Sequence, residues 1–315
     1  MNNVENNFKN LLIDKYPNIY IESLDAYCDK FEQIISKLNE LGIDAEVKKK
    51  SILSNIGKKD YLNYVCELSV IYHFASKFPE DFKIDINSTN NKNFDFYFFH
   101  QDLKMNVEVK SLSPSDNSEK KPVKLFLPKE QENELYKQGL QNLTRTTYKK
   151  IIDLLEKADS QLPLLQAHEI NIVLLCVSDL DEYTDVVTNL IHSEISILNL
   201  NKFKNIDCVL VCNIGFEHNF LLNKQVYKEY IKPNIENYSL DGKLIWDYQR
   251  SIPVLPMLFW VNTPLYECRN EEIQKNVMEA MFSHTSYLQR KVKSNNDIQN
   301  AIFTLYNEIS TGKIS

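Results

Sequence analysis

The sequence predicts an α/β fold with a central mixed sheet flanked by helices. Three observations lead there. Apolar stretches of strand length (82–86, 94–99, 104–112, 170–177 and 206–213) are separated by longer segments of helical period. Their order is helix, three strands, helix, strand, helix, strand, a pattern that buries a sheet beneath helices. With 315 residues, 43% hydrophobic and 25% charged, the chain has the composition of an ordinary globular protein and the length for a sizeable core.

Each element has its own signal. Residues 23–41 place Leu24, Tyr27, Phe31, Ile34, Ile35, Leu38 and Leu41 on one helical stripe, and Gly42 ends it. Residues 46–51 read as a short charged connector. A second helix over 61–78 aligns Tyr64, Glu67, Ile71 and Phe74. Residues 82–86 alternate as a strand, 87–93 carry turn chemistry, and 94–99 form a second strand. His100, Gln101 and Asp102 turn the chain into a third strand over 104–112. A polar loop (113–121) precedes a long helix over 129–157, a buried strand at 170–177, a helix over 181–198 and a strand at 206–213. Beyond that, 243–248 and 253–261 suggest a hairpin, and 270–293 a helix. The organisation expected is an N-terminal helical extension (1–50), a core (51–215) and a C-terminal elaboration packed on it (216–315). A single domain overall is the alternative.

Composition excludes several classes. The longest apolar runs, 172–177 and 254–261, are far too short to span a bilayer, and the Asn-rich first twenty residues do not read as a signal peptide. A cytoplasmic location with no membrane partner is the default expectation. Six glycines without a Gly-rich loop argue against a P-loop or dinucleotide fold. The six cysteines (28, 66, 176, 208, 212 and 268) are scattered in apolar segments, as reduced thiols are. Cys208 and Cys212 could form a zinc site only with partners such as His218 and Cys268, and their place in a strand favours core packing. His73, His168, His218 and His284 read as surface or packing residues.

The net charge of −7 argues against gripping nucleic acid by overall charge. Local basic clusters do occur, at Lys48, Lys49 and Lys50, at Lys58 and Lys59, at Lys120, Lys121 and Lys124, at Lys149 and Lys150, and at Arg290, Lys291 and Lys293. Each reads as a solvated patch or a phosphate contact.

The chemistry-bearing residues are three acids and an amine. Strand alternation puts Met105, Val107 and Val109 on one face of the third strand and Asn106, Glu108 and Lys110 on the other. Glu-x-Lys recurs at Glu46-Val47-Lys48 and Glu119-Lys120-Lys121, but only Glu108-Val109-Lys110 lies in a core-like strand preceded by a strand bearing an acid. That acid is Asp95, between Phe94 and Phe96, where a carboxylate is costly unless neutralised; a turn cap or a solvated strand edge is the bland reading. Glu67 falls on the helix row expected to be buried, either as an inward ligand or as a boundary residue reaching out. Two or three carboxylates beside an ammonium are what metal-dependent phosphodiester hydrolysis requires.

Glu67, Asp95 and Glu108-Val109-Lys110 together resemble the PD-(D/E)XK, or restriction-endonuclease-like, nuclease superfamily. The resemblance covers residues 62–177. Phe94 stands where the family name has proline, and Gln141 is followed four residues later by Arg145 where one branch of the superfamily has tyrosine. The resemblance implies a restriction-endonuclease-like core and a Mg²⁺-dependent nuclease, with Mn²⁺ as a substitute, acting on nucleic acid, with DNA expected over RNA. Defence or mobile-element biology would follow from the superfamily alone. Asp95, Glu108 and Lys110 would be catalytic. Glu67, Asp95, Glu108 and the Val109 carbonyl would hold the metal, and Gln141, Arg145 and Tyr148 could face a phosphate. The outer segments would select substrate or mediate homo-oligomerisation. An inactive relative or a protein-interaction module is the competing expectation.

Overall fold

Four helices lead into the sheet: α1 (Asn2–Lys15), α2 (Ile21–Glu40), α3 (Glu46–Asn55) and α4 (Tyr61–Lys77). The computed structural model describes residues 2–19, 21–80, 82–87, 93–112, 145–178, 186, 189, 190, 202–212, 214–222 and 259–282. Strands β1 (Lys83–Asn87), β2 (Asn93–His100) and β3 (Leu103–Ser111) follow, then α5 (Arg145–Gln161), β4 (Glu169–Cys176) and β5 (Cys208–Cys212). The described chain closes with α6 (Ile214–Leu222), β6 (Phe259–Asn262), α7 (Pro264–Glu267) and α8 (Glu271–Phe282).

The six strands lie side by side in chain order. β1, β2 and β3 form an antiparallel meander, β3, β4 and β5 are parallel, and β6 returns antiparallel on β5. The expected α/β arrangement with a mixed sheet is therefore present. β4 and β5 are buried on both faces, as their continuous Val, Ile, Leu and Cys runs require. Ile172, Leu174, Cys208 and Leu210 join an apolar layer with Phe8, Phe31, Val65, Phe74 and Met281 from the helices. Val173, Leu175, Val209 and Val211 face the other way, onto Ile151, Leu155 and Ala158 of α5. Among the described residues no helix is long and apolar enough to cross a membrane.

Several boundaries differ from the sequence reading. The charged connector at 46–51 is the first part of α3. Its residues are good helix formers without Gly or Pro, and buried Ile52 anchors it. Asn87 closes β1 and pairs with Asn93, which opens β2, and 88–92, the rest of the expected turn, lie outside the described residues. The described part of the 129–157 helix begins at Arg145 and continues to Gln161. Residues 113–121, 129–144 and 243–248 lie outside the described residues, as does 181–198 save 186, 189 and 190, which are helical. β6 pairs with β5 across some fifty positions, while 243–258, which carry the rest of the expected hairpin, lie outside the described residues. α8 accounts for 271–282 of the C-terminal helix, and 283–293 lie outside the described residues.

Candidate active site

The β2–β3 ladder runs from His100↔Leu103 to Phe96↔Val107, and its register continued by one residue sets Asp95 opposite Glu108. There the main chain stops pairing with itself. The Asp95 N–H donates to Glu108 Oε2 at 3.2 Å, and the Val109 N–H donates to Asp95 Oδ2 at 2.6 Å. Two carboxylates thus stand in for backbone carbonyls at the end of the meander. Val107 and Val109 point into the layer shared with the N-terminal helices. Alternation therefore turns Glu108 and Lys110 toward α5.

Lys110 donates to Glu108 Oε1 and to Gln161 Oε1, the latter at 2.8 Å. Gln161, the last residue of α5, also donates from Nε2 to the Asn93 carbonyl at 2.9 Å. One amide side chain therefore fixes the ammonium and ties α5 to the start of β2. Glu67, on α4, accepts from Lys48 of α3 at 2.6 Å, and both side chains are largely enclosed, 18% and 16% exposed.

Electrostatics link the three acids. Burial, then the charges of Glu67 and Glu108, hold the Asp95 carboxyl well above the usual carboxylate range; the Val109 amide and Lys110 oppose this. Burial also raises the Glu108 carboxyl, against the pull of Lys110 and the Asp95 amide and with a smaller push from Glu67. Burial first, and then its acidic neighbours, thus disfavour Asp95 as an anion. Among the described residues no three of His, Cys, Asp and Glu stand together at metal-ligating spacing.

The structure therefore brings Asp95, Glu108, Val109 and Lys110 into one hydrogen-bonded unit, with Glu67 within electrostatic reach. Asp95 is neither a turn cap nor a solvated edge residue. Gln141 lies outside the described residues, and so do the side chains of Arg145 and Tyr148 on the first turn of α5. Sequence reasoning missed Lys48 and Gln161. The available signals for Lys48 were the three-lysine run and the Glu46-Val47-Lys48 repeat of Glu-x-Lys. Lys49 of that run bonds Glu32 at 2.5 Å, so two of its three amines are used inside the protein. For Gln161 there was no signal.

The zinc alternative does not form. Cys208 and Cys212 point into the core, Cys268 is exposed, and His218 is enclosed between Tyr27 (Oη to Nδ1, 3.0 Å) and Ser69 (Oγ to Nε2, 3.0 Å). All six cysteines are free thiols. His73 is buried, with its ring edge-on to Phe74 at 4.8 Å, a packing histidine as expected. Comparison with protein-family models, curated proteins and solved structures finds no match to this chain.

Proposed function

We propose that the chain is a divalent-metal-dependent nuclease with a restriction-endonuclease-like core, hydrolysing phosphodiester bonds of nucleic acid, with DNA the substrate to try first. One observation carries the reading: Asp95 and Glu108, on adjacent strands, are locked to each other's main chain with Lys110 on the same face. The succession α4, β1–β3, α5, β4, with β4 parallel to β3, supports it as the order that resemblance requires.

The donor set suits a hard cation. Mg²⁺ commonly needs only one or two protein carboxylates alongside water and substrate oxygens. Asp95 is a buried acid that its surroundings resist ionising, which is where a divalent charge would have most effect. Asp95, Glu108 and the Val109 carbonyl would hold Mg²⁺ or Mn²⁺, and Glu67, which does not group with them at ligating spacing, would contribute through an intervening water. When bound, the ion would polarise the phosphate and acidify a water molecule. Lys110, steered by Gln161, would orient the attacking water and offset negative charge on the phosphorane.

The test is incubation of purified protein with Mg²⁺ or Mn²⁺ and plasmid DNA or single-stranded RNA. Cleavage lost in Asp95→Asn and Lys110→Ala is the expected result. Absence of cleavage, with Mn²⁺ binding unchanged by either substitution, would refute the proposal.

A second reading has its own observation. Lys48 covers Glu67 and Lys110 covers Glu108, so two of the three acids are neutralised without a metal. An inactive relative acting as a protein-interaction module would retain this arrangement and show no Mn²⁺ site dependent on Asp95.

A further inference from the structure

The core holds two thiols that the proposed chemistry does not use. Cys176 and Cys212 are the last residues of β4 and β5, and the parallel ladder sets them directly opposite each other. Both side chains turn into the apolar layer shared with the helices, and their sulfurs stand 3.7 Å apart. Register makes this pair. Cys208, on the same face of β5, is opposite Ile172 and so meets no thiol across the ladder.

The rung suits a disulfide. Neighbouring strands run about 4.7–4.9 Å apart, inside the range of about 4.4–6.8 Å between Cα atoms that a disulfide spans. The sulfurs have to close from 3.7 Å to about 2.05 Å, and the strand spacing already permits it. The main chain around the rung is fixed on both sides. The Val177 N–H donates to the Cys212 carbonyl and the Leu112 N–H to the Cys176 carbonyl, both at 2.9 Å. Gly215, at the start of α6, packs so closely on the Val177 carbonyl that an added Cβ would lie 2.6 Å from its oxygen. Burial holds the Cys176 thiol well above its ordinary range, so it reacts slowly, and only with an oxidant small enough to enter the core.

We propose that Cys176 and Cys212 are a redox-active pair, closed to a disulfide across β4 and β5 by a small peroxide and reopened by a dithiol. In the first step one sulfur attacks the peroxide. An S–O bond forms, the O–O bond breaks, and the departing hydroxide leaves with the thiol proton as water. In the second step the other sulfur attacks that sulfenic sulfur. The S–S bond forms, the S–O bond breaks, and a second water carries off the remaining proton. The thiols give up two electrons and the peroxide takes them. The crosslink fastens the end of the sheet from which α6 departs, and it stands independently of the nuclease reading.

The experiment exposes the folded full chain, with exposed Cys268 replaced by serine, to hydrogen peroxide. Catalase then removes the oxidant before thiols are counted under denaturing conditions and linked peptides are mapped by mass spectrometry. Cys268→Ser leaves five thiols. Two of them should disappear, the mass should fall by about 2 Da, and one linked pair should contain Cys176 and Cys212. Dithiothreitol should restore both thiols. The oxidised protein should melt about 5 °C higher than the reduced one. Adding Cys212→Ala should abolish the link; if that variant does not fold, the peptide map of the Cys268→Ser protein carries the test. Retention of all five thiols, at a peroxide dose that consumes Cys268 in the wild type, overturns the inference. So does a link between any other pair of cysteines, or a Cys176–Cys212 disulfide that lowers the melting temperature.

Discussion

Replacing Asp95 with asparagine should make the metal-free protein more stable near neutral pH. Burial, with the charges of Glu67 and Glu108, holds the Asp95 carboxyl well above the ordinary value of 3.8. The folded chain therefore carries more protons than the unfolded one between 3.8 and the raised native value. Stability contributed by this group falls as pH rises through that window, and the cost is complete above it. Asparagine keeps a side-chain oxygen for the Val109 N–H and removes the charge. Relief of strain at a functional site is commonly worth about 0.5–2 kcal/mol, or roughly 2–4 °C per kcal/mol in melting temperature. Lys110→Met should act in the opposite direction. It strips the ammonium from Glu108, whose side chain is 1% exposed, and breaking an enclosed pair costs about 3–5 kcal/mol. Urea unfolding in EDTA near pH 7.5 measures both, and repetition near pH 4 should shrink the Asp95→Asn gain. A destabilised Asp95→Asn at neutral pH, or a gain that grows on acidification, would refute the electrostatic account.

Two further outcomes are expected. Arg269 pairs with fully buried Asp207 at 2.9 Å and also donates to the Gln166 and Glu169 carbonyls, so it fastens the segment after β6 to the sheet. Arg269→Met should cost about 3–5 kcal/mol in urea unfolding, and adding Asp207→Asn should recover much of it; a cost below 1 kcal/mol would deny the fastening role. Burial pushes the His218 imidazole down to about 3 from its ordinary 6.5, so the unfolded chain binds more protons between these values. Stability contributed by His218 is lost as pH falls through that range. His218→Asn should flatten this acid limb while costing about 1–3 kcal/mol near neutrality, and an unchanged limb would count against the assignment.

The elements that strand and helix periodicity govern were legible. Phe96 and Phe98 alternate into the core, and so do Met105, Val107 and Val109, so β2 and β3 could be read with their faces. The stripe of α2 was equally plain. α3 was not, because of its ten residues Ile52 alone is buried and no stripe marks the helix. β6 is four residues long, and its pairing with β5 spans some fifty positions, which local pattern does not encode. The same limit applied to the site. Asp95, Glu108 and Lys110 lie close in sequence and announced themselves by incongruity with their strands. Lys48 and Gln161 are ordinary polar residues on helices, and only folding carries them across separations of 19 and 51 residues to Glu67 and Lys110.

The rung at Asp95 and Glu108 gives the sheet a seam. Main-chain pairs elsewhere in the meander involve no titrating group, but this one is fastened by carboxyls that gain and lose protons. Uptake or release of a proton there is felt at once by the Val109 amide on the neighbouring strand.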